Sequence, residues 1–91
     1  MAARGHYHLA HMRSEYNCLE QAYCWARIGY QRELAASRDA EAAAEYRAAA
    51  LARSQESRRL MVALDDRLKT LETLLPRIYT VARPPVDLVI S

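Results

Sequence analysis

The chain has 91 residues, 52% hydrophobic and 26% charged, which allows one domain with a modest core and argues against an enzyme that encloses its substrate. Twelve arginines and one lysine against eleven acids leave a formal charge of +2, so the chain is not of the strongly basic type that coats nucleic acid by charge alone. Two glycines and three prolines, with no proline from Arg4 to Leu75, favour long helices, and an apolar share dominated by alanine predicts a thin core.

The N-terminal residues Met1 to Gly5 lack the apolar centre of a signal peptide, and nowhere do about twenty apolar residues run together as a membrane span requires. A soluble, cytoplasmic chain without a membrane partner is the expectation. Cys18 and Cys24 lie six apart, which on one helix turns them roughly 120° from each other and predicts free thiols.

From His8 to about Ala36 the apolar residues Leu9, Met12, Tyr16, Leu19, Tyr23, Ala26 and Tyr30 recur in steps of three and four, the seam of an amphipathic helix. Ala22, Trp25, Ile28 and Gly29 widen that stripe, so the helix is expected to touch more than one neighbour, with Trp25 as the anchor.

The pattern resets at Ser37-Arg38-Asp39. Asp39 can accept hydrogen bonds from the backbone that follows, and Glu41 suits the positive end of a helix dipole. A tight turn there sets Tyr30 opposite Ala44 and Ala48, Tyr23 opposite Leu51 and Arg53, and Tyr16 opposite Leu60, with Met12 and Leu9 opposite Leu64 and Leu68. One continuous rod is the alternative, since neither glycine nor proline enforces the turn.

Residues 40 to 53 are alanine-rich, with Tyr46 and Leu51 as the only large apolar side chains, and should pack against bulky neighbours. Ser54 to Arg59 then supply six polar residues in a row, at which the helix either crosses solvent or breaks. A seam of Met61, Leu64, Leu68, Leu71 and Leu75 follows, with Asp65, Asp66, Arg67 and Lys69 assigned to its far side. Pro76 ends it, because the residue before a proline is pushed out of the helical region.

Beyond lie two β-branched pieces, residues 78–82 and 86–90, divided by Arg83-Pro84-Pro85 and predicted to be strand-like. The expected fold is therefore all-α: a long antiparallel helical hairpin over residues 1–75, or three helices if the polar waist breaks, with an extended C-terminal tail over residues 76–91.

Under that hairpin the first helix runs out near Leu68, leaving Leu71, Leu74, Leu75 and Ile78 as an uncovered apolar overhang. Tyr79, Val86, Leu88, Val89 and Ile90 add an apolar segment able to join the edge of a partner's sheet. With Trp25, these residues point to a non-enzymatic protein–protein interaction module that docks on another protein or a larger complex and forms homo-oligomers. A phage structural subunit, a secretion chaperone and an inhibitor of host machinery all fit.

The alternative is a small nucleic-acid-binding protein using Arg53, Arg58, Arg59, Arg67, Lys69, Arg77 and Arg83, with Tyr79 stacking on a base. Interleaved acids at helical spacing describe a solvated face better. His8, His11, Glu15 and Cys18 are metal-binding types at three-four-three spacing, yet one straight helix strings them over about 15 Å. No metal or cofactor is expected, nor is catalysis, which needs a nucleophile and base gathered from several elements.

Overall fold

The structure, a computed structural model, describes residues 2–90, with side chains from residue 8 onward. Helix α1 spans Ala2–Ser37 and helix α2 spans Ala44–Leu74; a single 3₁₀ turn at Arg77–Tyr79 and a short helix α3 at Val86–Ile90 follow. The two long helices pack against each other as an antiparallel hairpin measuring 62 × 19 × 14 Å. No strand occurs among the described residues, and no helix is long and apolar enough to cross a membrane. Met1 and Ser91, the outer limits of the two expected segments, lie outside the described residues.

The turn occurs where the pattern resets, but it takes six residues, 38–43, rather than three. Asp39 Oδ1 accepts from the Glu41 backbone N–H at 3.0 Å, a local closure inside the loop rather than a helix cap. The residue flanking α2 is Ala43, whose side chain caps nothing, and Glu45 rather than Glu41 occupies the first turn.

This longer loop displaces the pairing of the helices. A tight turn would place residue 43 opposite Glu33; Glu33 instead pairs with Arg53, Gly29 faces Ser57 and Glu15 pairs with Arg67. The expected partners of Tyr23, Tyr16, Met12 and Leu9 are corrected accordingly, by up to about ten residues along α2. Each three or four residues added to a loop shift the return helix by a whole turn, so the stripes still meet while the partners change.

The waist at 54–59 does not break α2. Ser54 is buried and bonds back to the Leu51 carbonyl at 2.6 Å, and a Cβ on Gly29 would lie 3.6 Å from Ser57 Oγ. Small residues thus carry the seam from Ala50 to Met61, both fully buried, where large apolar ones are missing. The alanine-rich turns before it are mostly exposed, with Tyr46 and Leu51 among the exposed large side chains. Of that segment only Ala50 is buried, so the expectation of packing against bulky neighbours fails for the rest.

Leu75, displaced from helical torsions ahead of Pro76, has φ −91° and ψ 144°, and there the chain reverses. Neither expected strand-like piece is a strand: Ile78 and Tyr79 belong to the 3₁₀ turn, Thr80 is extended, residues 81–85 have no regular secondary structure, and 86–90 are helical. The preceding Pro84-Pro85 suits entry into a helix, and the Leu88 N–H bonds to the Pro85 carbonyl at 3.0 Å. Helical spacing also brings Val86, Val89 and Ile90 together onto the core while Leu88 points away. With no sheet to join, β-propensity has nothing to act on.

Candidate functional site

Three tyrosines seven residues apart on α1 mark the course of the tail. Tyr16 Oη accepts from the Val81 N–H at 3.0 Å. The Arg83 guanidinium sits 5.5 Å from the centre of the Tyr23 ring, and Tyr30 Oη donates to the Ile90 carbonyl at 3.2 Å. One turn nearer the start, Arg13 stacks 3.8 Å over the Tyr79 ring. The tail therefore runs parallel to α1 and antiparallel to α2, lying in the groove between them.

At the centre of this groove is a buried charge cluster. Arg83, whose side chain is 7% exposed, donates from Nε and Nη2 to Asp65 Oδ1 at 3.0 and 2.6 Å, and from Nη1 to Glu72 Oε2. Glu72 Oε2 also accepts from Tyr16 Oη at 2.8 Å. Lys69 Nζ lies 3.0 Å from the second Asp65 oxygen, an ionic contact without hydrogen-bond alignment.

Burial opposes the charge on Arg83, but the carboxylates of Asp65 and Glu72 outweigh it and hold the guanidinium pKa above its ordinary value. Burial likewise pushes the Asp65 carboxyl up, and Arg83 and Lys69 overcome this to hold it below the usual carboxylate range. Tyr16 and Tyr23 are raised, chiefly by burial. The Tyr23 hydroxyl, though buried, has no hydrogen-bond partner among the described residues.

Asp65, expected on the far side of the seam, is instead 1% exposed. The signal was present: it lies four residues after Met61 and three before Leu68, a seam position held by a charge. Arg83 was likewise the single charge between two apolar stretches.

Of the residues expected at a partner interface, Leu71, Leu75 and Val86 are buried in the hairpin's own core. No overhang exists at Leu71 and Leu75, because the shifted pairing and the returning tail cover them. Val89, Ile90 and Tyr79 are half-buried, the first two packed on that core. Trp25, Leu74, Ile78 and Leu88 are 73%, 59%, 82% and 71% exposed.

Four of the seven basic residues considered for nucleic acid are taken by carboxylates: Arg53 by Glu33, Arg67 by Glu15, Lys69 by Asp65, and Arg83 by Asp65 and Glu72. Arg58, Arg59 and Arg77 remain exposed. Among the metal-binding types on α1, Glu15 is held by two hydrogen bonds from Arg67, which lower its pKa, while His8, His11 and Cys18 are exposed. Among the described residues no three such groups converge. Cys18 and Cys24 are both free thiols.

No family model, no curated protein and no solved structure matches the chain.

Proposed function

We propose that the chain is a non-enzymatic protein–protein interaction module, a small helical assembly, adaptor or inhibitor protein. The observation that carries this reading is the exposure of Trp25, Leu74, Ile78 and Leu88 on a hairpin whose own core and buried charges are otherwise closed. Fully covering a large aliphatic side chain is worth roughly 1.5–3 kcal/mol, so surfaces that keep several of them in water gain from a partner. Leu74 and Ile78 flank the reversal at Pro76 and present one such surface.

The buried ionisable groups support a binding role over catalysis. Asp65 is held below and Arg83 above their ordinary pKa values, the reverse of the tuning toward neutrality that acid–base catalysis needs. Nucleic acid is the weaker reading, because ion pairs neutralise most of the basic residues that would track phosphates.

Trp25 is the only tryptophan, so association at its face reads out directly in its emission. Sedimentation of the wild-type chain is compared with Trp25→Glu and Ile78→Glu, neither of which touches the core, and emission is followed in the wild type and in Ile78→Glu. A rising mass with blue-shifted emission in the wild-type chain, the rise in mass lost in both variants and the blue shift lost in Ile78→Glu, is the expected result. A mass fixed at 10.4 kDa together with steeply salt-dependent duplex binding would move nucleic acid to first place.

A further inference from the structure

We propose that residues 76–90 exchange between two copies of this chain, each copy's tail lying in the other's groove with Arg83 between Asp65 and Glu72. The inference rests on the reading of the protein as a protein–protein module and names the partner as a second copy.

The groove is built for one kind of segment. Its floor presents two carboxylates, with Asp65 almost fully buried, and what satisfies them is a guanidinium arriving from the tail. Tyr16 and Tyr30 meet the tail's backbone at either end, and Val86 fills the core. Every one of these contacts is met equally well by the tail of another copy, which is the condition for exchanging an element without losing its interactions.

The connection to the tail is separable from the hairpin. Between Leu74 and Val81 the backbone bonds are local: Leu75 to Leu71, Tyr79 to Pro76 and Thr80 to Arg77, and the stacking of Arg13 on Tyr79 holds the segment from outside. Leu75 stays in the core, and the five residues 76–80, when straightened, span about 17 Å, enough to carry the tail past the end of α2.

The hinge is also where apolar side chains stay in water, Leu74 at 59% and Ile78 at 82% exposure. In the closed single chain the described residues leave both more than half exposed. In an exchanged pair the two straightened hinges run side by side about the two-fold axis, and these residues cover one another.

Because the tail competes at the high effective concentration of an attached segment, of millimolar order, exchange is favoured as the protein concentration approaches that range. The experiment places a photo-crosslinking residue at exposed Ala82 (Ala82→p-benzoylphenylalanine). It refolds a mixture of isotope-labelled and unlabelled full-length chains at about 1 mM, irradiates it, and identifies links from the tail to α1 by mass spectrometry. Links joining labelled to unlabelled chain, approaching the half that random pairing gives, are expected to vanish in an Arg83→Glu version that stays helical.

Links confined to one isotope would overturn the exchange. So would mixed links that persist in the Arg83→Glu version, since they would report collisions. Sedimentation of the same samples separates the two readings: same-isotope links with a dimeric mass end the exchange alone, and same-isotope links with a 10.4 kDa mass and unshifted Trp25 emission end both.

Discussion

Arg83 and Asp65, eighteen residues apart, neutralise each other inside the groove between the helices, with side chains 7% and 2% exposed. The tail is thus held to the hairpin by a buried ion pair at its centre as well as by apolar contact at its end. Removing the guanidinium leaves a carboxylate buried with only the exposed Lys69 beside it.

Arg83→Ala is therefore expected to cost about 3 kcal/mol, near the lower end for breaking a buried pair because Lys69 remains. Urea denaturation measures the loss. Hydrogen exchange should show residues 79–90 opened before α1 and α2, and uniform loss of protection along the chain would contradict the assignment.

Tyr16 and Tyr23 are expected to respond differently to loss of the hydroxyl. Tyr16→Phe removes a bond to Glu72 and one from Val81 and should cost about 1–3 kcal/mol. Tyr23→Phe deletes a buried hydroxyl without a partner and should be neutral or stabilising by up to about 1 kcal/mol. Thermal unfolding of the two variants side by side decides the matter.

Stability should fall at both ends of the pH range. Asp65 has a folded-state pKa below its unfolded value, so its contribution is complete above about pH 4 and is lost as pH falls through the folded value. Tyr16 and Tyr23 are raised, so theirs is complete below about pH 10 and is lost as pH rises through the folded values. Tyr23→Phe should flatten the alkaline limb and leave the acid limb in place; denaturation midpoints against pH test this.

Gly29→Ala should stabilise the hairpin by about 0.5–1 kcal/mol, the helix-propensity difference. The added Cβ meets Ser57 Oγ at 3.6 Å, ordinary van der Waals contact. A destabilised variant would mean that the helices approach more closely at this point than the structure shows.

The pairing itself is open to a covalent test. In a background with Cys18 and Cys24 replaced by serine, Gly29→Cys with Ser57→Cys should oxidise to a disulfide, since a Cβ on Gly29 lies 3.6 Å from the Ser57 Oγ, the place a sulfur at 57 would take. Tyr23→Cys with Leu51→Cys, the pair that a tight turn would bring together, should not. Gel mobility under oxidising conditions distinguishes them.

Much of the hairpin is legible in the sequence, because three-four spacing of Tyr16, Tyr23 and Tyr30 against Met61, Leu68 and Leu75 reports which faces are apolar whatever the loop does. Register is not legible in the same way: it depends on whether the loop takes three residues or six, and Asp39 is consistent with both. Residues 86–90 are ambiguous in sequence because Val86, Val89 and Ile90 satisfy β-propensity and helical spacing at once, and only the core against which α3 packs chooses helix. Asp65 and Arg83 each break an apolar run, yet that they answer each other follows only once the tail reverses at Pro76.

The tyrosine ladder carries one more consequence. A strict seven-residue repeat on an α-helix drifts by about 20° per heptad, so a tail that meets Tyr16, Tyr23 and Tyr30 in turn must wind around α1 with left-handed pitch, as a third strand would in a rope. Such a winding tolerates changes of side chain between the tyrosines far better than changes of length. One residue inserted between Tyr23 and Tyr30 would rotate Tyr30 about 100° off the tail's path, so α1 between these rungs is fixed in spacing more tightly than in composition.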